Sequence, residues 1–233
     1  MLGFTVTVIA GLVVGTINGM AGGASLISYP VLLALGLPPV DAAITNAMGV
    51  SSANLFAIRA GEHTAVKLMK DYKRLIIISI LCSLIGATLL LVFPPQIFEH
   101  VVPFLLLAAT LTLLLPTKPR VSRRNEIAET LGIASSGLYC GYFGPGQGVM
   151  VITALARNPK DPGTLNAAKN IIVGVTSIAS NTVYVFSGHV YWSLAFALFV
   201  GSSIGGTLGG RWAPKMSPIF YTVLVLLVGF GAS

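Results

Sequence analysis

Two short stretches decide the fold: Asn18-Gly19-Met20-Ala21-Gly22-Gly23-Ala24-Ser25 (18–25) and Gly144-Pro145-Gly146-Gln147-Gly148 (144–148). Each interrupts an apolar run with glycines, which release the backbone from helical geometry. The first gap leaves pieces of roughly 15 and 12 residues, and a 15-residue helix covers only about 22 Å of a hydrocarbon core about 30 Å thick. Each stretch is therefore either one broken spanning helix or a re-entrant hairpin that enters and leaves on one side.

The rest of the chain explains why membrane thickness is the right yardstick. Of 233 residues, 55% are hydrophobic and 9% charged, with a mean hydropathy of +0.86. Soluble domains carry about a quarter of their residues as charges. This excludes a soluble enzyme, a disordered chain and a nucleic-acid binder. Long uncharged runs recur throughout, so the chain reads as all-α and polytopic, with roughly six to eight membrane-embedded segments. The net charge of +7 fits cytoplasmic loops. Cys82 and Cys140 lie in apolar stretches and give no disulfide framework. The N-terminal run has no basic region ahead of it and reads as a retained segment.

The second half echoes the first. Gly11, Gly15 and Gly22 recur as Gly137, Gly141 and Gly148, and Asn46, Gly49, Val50 and Ser52 as Asn170, Gly174, Val175 and Ser177. The run 82–95 aligns with 201–214. Two repeats follow, 1–116 and 126–233, joined by a basic cytoplasmic linker at 117–125. Such repeats are common in secondary transporters, with the binding site at their interface.

Charge placement bears on their orientation. With the 61–74 loop cytoplasmic, broken spanning helices would put Arg157, Lys160, Arg211 and Lys215 outside. Hairpins make all four cytoplasmic, and leave the joints 37–41, 94–100 and 187–191 outside without a single Lys or Arg. The positive-inside rule favours inverted repeats, each a re-entrant hairpin plus three transmembrane helices. The alternative is eight spans in parallel repeats.

A helix that starts inside a membrane points unpaired N–H groups and a partial positive charge into the gap before it, which suits an anion. Gly22, Gly23, Ala24 and Ser25 would form one half of such a site, and Gly146, Gln147 and Gly148 the other. Gly11, Gly15, Gly137 and Gly141 read instead as packing positions. Lys169 is the one basic side chain well inside an expected span, so it reads as either a site residue or a snorkelling side chain. It shares a helix face with Asn170, Ser177, Ser180 and Asn181. The first repeat offers Thr45, Asn46, Ser51, Ser52 and Asn54. Cys140 reads as packing, and Tyr184, Tyr191 and Trp192 as interface anchors. No buried acid pair, metal cluster, P-loop or nucleophile elbow is visible, so neither catalysis nor ATP-driven pumping is expected, and no cofactor.

The openings GLVVGTINGMAGGASLISYPVLLALGLPPVDAAITN (11–46) and GLYCGYFGPGQGVMVITAL (137–155), with the closing run at 187–213, resemble the sulfite exporter TauE/SafE-type family. The resemblance spans nearly the entire chain. It implies a cytoplasmic-membrane permease for small sulfur-containing anions: sulfite, thiosulfate or organosulfonates such as sulfoacetate. The first gap carries Ala-Gly-Gly-Ala where a longer glycine run is usual, and the second carries Gln147. The expected activity is alternating exposure of a central site formed by the two gaps, with Thr45, Asn46, Asn170 and Ser177 as hydrogen-bonding groups and Lys169 as a charge. An anion channel, or a membrane scaffold for a sulfur-metabolising enzyme, are the alternatives.

Overall fold

The computed structural model describes residues 2–20, 23–60, 65–114, 126–155 and 162–212. The basic linker at 117–125, the last apolar block at 217–231, Gly22, Arg157, Lys160 and Lys215 lie outside the described residues. Among the described residues there are ten helices and no strand: α1 (Leu2–Met20), α2 (Ser25–Ala34), α3 (Pro39–Ala60), α4 (Ala65–Asp71), α5 (Lys73–Val92), α6 (Pro95–Leu114), α7 (Glu126–Tyr142), α8 (Gln147–Leu155), α9 (Pro162–Tyr184) and α10 (Trp192–Trp212). Helices α1, α5 and α10 are long and apolar enough to cross a membrane. Helices α3, α6 and α9 match them in length, at 22, 20 and 23 residues.

The arrangement of polar and apolar faces is the reverse of that in a soluble bundle. On α5, Ile77, Leu81 and Ile85 are exposed at helical spacing, while Ser79, Ser83, Gly86 and Ala87 are buried. On α10, Phe196 and Ile204 face outward, and Gly201, Ser202, Gly205 and Gly209 face inward. On these two helices the inward faces carry small residues that bring backbones close and hydroxyls that bond between helices, while large side chains such as Tyr29, Phe98, Phe143 and Ile172 fill the rest of the core. Ser52 Oγ of α3 lies 2.7 Å from Ser202 Oγ of α10, which also donates to Gly49 O at 2.8 Å. Thr176 Oγ1 of α9 pairs with Ser79 Oγ of α5 at 2.9 Å.

The two halves interlock. Helix α1 packs along α10 and α7 along α5. A Cβ on Gly205 would strike Leu12 O and Thr16 N, and one on Gly86 would strike Leu138 O and Tyr142 N. These are the same contacts at corresponding positions of the two halves. Gly11 and Gly137 behave alike, with added Cβ atoms 2.8 Å from Leu198 O and 2.5 Å from Ser79 O. Helices α3 and α9 run antiparallel: Gly174 lies over Leu55 and Asn54, and Asn181 lies near Ala47. At one end of the bundle the joints before α3 and α10 meet, where His189 Nδ1 lies 2.7 Å from Asp41 Oδ1 and Tyr191 N–H donates to Thr45 Oγ1 at 3.1 Å.

Both expected interruptions are present. The first is narrower than the sequence suggested, because Asn18, Gly19 and Met20 continue α1 to 19 residues, a length of about 28 Å. Gly19 stays helical because it sits at a close crossing, with an added Cβ 3.0 Å from Gly206 O and 3.2 Å from Gly210 N. Gly23 then takes φ 89°, and Gly144 and Gly146 take 91° and 93° in the second break. A side chain would strain each of these turns. Helices α2 and α8, of 10 and 9 residues, are about 15 and 14 Å long and cannot span a bilayer.

Candidate functional site

Each break leaves the preceding helix with carbonyls that have no intrahelical partner. At the end of α1 these are met by α9: Lys169 Nζ donates to Asn18 O at 2.6 Å, and Asn166 Nδ2 and Asn170 Nδ2 both donate to Gly19 O, at 3.1 and 3.2 Å. A cation at a helix C-terminus also complements the partial negative charge there. Around the second break two tyrosines hold carbonyls, one in the turn after α7 and one at the end of α7 itself. Tyr139 Oη donates to Pro145 O at 2.5 Å, and Tyr184 Oη donates to Gly141 O. Tyr184 is therefore a buried brace and not the interface anchor that its place in the sequence suggested. Tyr191 and Trp192 are exposed. Phe143 at the second tip packs edge-on to Tyr29 of α2, with ring centroids 5.2 Å apart.

The starts of α2 and α8 open onto one small cavity. Gly23 and Ser25 line it from the first tip, and Gln147 and Gly148 from the second. Asn46 on α3 and Ser177 on α9 complete the sequence-predicted members that reach it. Asn18, Ser51, Asn54, Cys140, Gly144 and Ser180 also contribute. No charged side chain lines the cavity among the described residues.

The remaining expected residues stand behind that lining. Ala24 N–H donates to Asn18 Oδ1 at 2.9 Å, so the Asn18 side chain caps α2 while its carbonyl is held by Lys169. Asn170 holds the α1 terminus, Thr45 the joint before α10, and Gly146 the turn into α8, where its carbonyl accepts from Val149 N–H at 3.1 Å. Lys169 does not snorkel: it is 0% exposed. Asn18 was legible as a polar gap residue but not as a cap. Cys140 Sγ lies 3.9 Å from Ser177 Oγ, a proximity that the packing reading of this cysteine did not anticipate.

Gln147 is the least satisfied group in the cavity. It is 2% exposed, and neither its Nε2 nor its Oε1 has a hydrogen-bond partner. Buried side-chain amides are normally paired, so Gln147 keeps one donor and one acceptor free to bond water or a solute in the cavity. Along the first turn of α8, Gln147 N–H and Val149 N–H turn back onto Gly144 O and Gly146 O, at 3.2 and 3.1 Å. Among the described residues, Gly148 N–H makes no such bond.

An apolar outer shell around an internal polar cavity, lined from both helix breaks, is the build of a multi-pass membrane protein. The chain matches the family described as "Sulfite exporter TauE/SafE" over residues 7–233, and it belongs to that family. It is 32% identical to a "Probable membrane transporter protein" of Haemophilus influenzae, over 94% of this chain and 89% of the relative. It is 28% identical to "Probable membrane transporter protein ORF9" of a Sinorhizobium species, covering 94% and 87% of the two chains. With "Probable membrane transporter protein YunE" of Bacillus subtilis the identity is 24%, over 98% and 96%. No solved structure matches this chain.

Proposed function

We propose that this chain carries small sulfur-containing anions, such as sulfite, thiosulfate or sulfoacetate, across the cytoplasmic membrane by alternating exposure of the central cavity. The observation that carries this reading is that the first residues of α2 and α8 line the same cavity. Two helix N-termini bring partial positive charge to it, the Gly148 N–H makes no backbone bond there, and no carboxylate among the described lining residues opposes an anion. Gly23, Ser25, Asn46, Gln147, Gly148 and Ser177 contact the solute. Ala24, Thr45, Gly146, Lys169 and Asn170 hold those residues in place, and Gly22 belongs to the first tip by its position in the sequence. The family and the names of its relatives support transport as the activity.

The experiment is flux into proteoliposomes of labelled sulfite, thiosulfate and sulfoacetate, with sulfate as comparison. Wild type is expected to move at least one of the first three above the rate of protein-free liposomes. Gln147→Glu puts a carboxylate at the mouth of α8, where repulsion of an anion is expected to lower flux at least about tenfold, equivalent to about 1.4 kcal/mol. Undiminished flux in that variant would remove the cavity from the pathway.

The inverted, re-entrant architecture is part of the same proposal, with repeats over 1–116 and 126–233. It is supported by the shortness of α2 and α8, the antiparallel course of α3 and α9, and the Asp41–His189 contact. In the hairpin arrangement positions 41 and 189 share the outer face; in eight spans they lie on opposite faces. Asp41→Cys and His189→Cys, made in a background of Cys82→Ala and Cys140→Ala, should therefore both react with an impermeant maleimide added outside intact cells. Lys67→Cys should react only after permeabilisation. The pair is partly exposed, at 46% and 17%, so its loss costs at most about 1 kcal/mol and leaves the fold intact.

A further inference from the structure

We infer that the cavity selects an anion that itself carries a hydrogen-bond donor: a hydroxyl, an ammonium or a protonated oxygen. This rests on the anion reading above and narrows its substrate class. The inference follows from counting what the lining still offers once its internal bonds are made.

Several lining groups have already spent their protons. Ser51 Oγ donates to Met48 O at 2.9 Å, and Ser180 Oγ donates to Ser177 O at 3.1 Å. A hydroxyl has one proton, so these two oxygens have only lone pairs left for a solute. Asn46 has one amide end taken by Ser28 Oγ at 2.5 Å; because the Ser28 proton can also go to Ser25 O at 3.3 Å, the end left for a solute is a donor or an acceptor according to the amide's orientation. Gln147 offers one group of each kind, both buried and both unpaired.

The lining thus presents donors, through Gln147 Nε2 and the Gly148 amide, together with acceptors headed by Gln147 Oε1. A fully deprotonated oxyanion has only acceptor atoms. It would satisfy the donors and leave Gln147 Oε1 buried without a partner, which is unfavourable. A sulfonate bearing a hydroxyl, or a singly protonated oxyanion, satisfies both sets. Flipping the Gln147 amide exchanges its two ends but keeps one of each, so the count does not depend on which way it is drawn.

A matched pair of probes isolates the donor. Ethanesulfonate and 2-hydroxyethanesulfonate have the same charge and the same carbon skeleton, and differ by one hydroxyl. Their dissociation constants are to be read from ligand-dependent thermal stabilisation of the purified full chain. In wild type the hydroxylated probe should bind at least about tenfold more tightly, since a site built around a hydrogen bond rejects the analogue that lacks it. Gln147→Met keeps the volume and removes the amide, so it should bring the two constants to within about twofold. Equal affinities in wild type would overturn the inference while leaving an anion site standing, and so would a preference that survives in Gln147→Met. Binding of neither probe would also overturn the inference, while the liposome flux of sulfite and thiosulfate tests the anion reading separately.

Discussion

Lys169→Met is expected to lower anion flux at least about tenfold while shifting the melting temperature by only a few degrees. Two opposing terms set the stability. Removing the ammonium leaves the Asn18 carbonyl without its 2.6 Å donor, a loss of about 1–3 kcal/mol for a buried group. It also relieves the cost of keeping a fully buried cation, which no carboxylate among the described residues pairs with. Flux has no such compensation. Lys169 holds the carbonyl of the same Asn18 whose side chain caps α2 at Ala24 N–H and lines the cavity. Without the ammonium, the first tip loses both its anchor and the nearest buried positive charge. Flux and melting curves from one preparation decide the matter; unchanged flux would separate Lys169 from the transport cycle.

Gly205→Leu and Gly86→Leu are expected to abolish folded protein altogether. The first added atom of either side chain falls on the backbone of the neighbouring helix, at Leu12 O and Leu138 O respectively. A rotamer change cannot relieve a clash between Cβ and backbone. The helices would have to separate along their whole crossing, at a cost above about 4 kcal/mol. Gly3→Ala is the control, since its Cβ meets only the end of the Leu35 side chain, at 3.5 Å. Size-exclusion profiles of fluorescent fusions in mild detergent should show a monodisperse peak for Gly3→Ala and none for the two leucine variants. Retention of that peak by Gly205→Leu would mean that the α1–α10 crossing is looser than described.

These two results rest on features that the sequence exposes to different degrees. The glycines at 11, 15, 137 and 141 were readable as packing positions because small residues at helical spacing have an evident use among lipid-surrounded helices. The two breaks were readable because glycines cluster inside otherwise apolar runs at 18–25 and 144–148. Their extent was not, since Asn18 and Gly19 are poor helix formers that tertiary contacts with α9 and α10 keep helical.

Partner identity was the part that the sequence withheld. The helix face of α9 directs Lys169 inward, but nothing local shows that the ammonium meets a carbonyl 151 positions earlier in the chain. The same holds for Tyr184, whose place near a span end suggests an interface and whose hydroxyl instead reaches Gly141 O. Polar type was a good guide to inwardness and a poor guide to which inward groups face the solute. Asn46 and Ser177 line the cavity, whereas Thr45 and Asn170, beside or equivalent to them by sequence, do not.

The exchange of partners between the halves also governs biogenesis. Ser52 finds its hydroxyl neighbour 150 residues further on, so the early helices enter the bilayer long before their mates are translated. Contacts so distant along the chain are slow to form, and until then the glycine stripe of α1 faces lipid or an insertion chaperone. A nascent chain arrested before α10 would be inserted yet unassembled, which makes the arrival of α10 the step that joins the two halves.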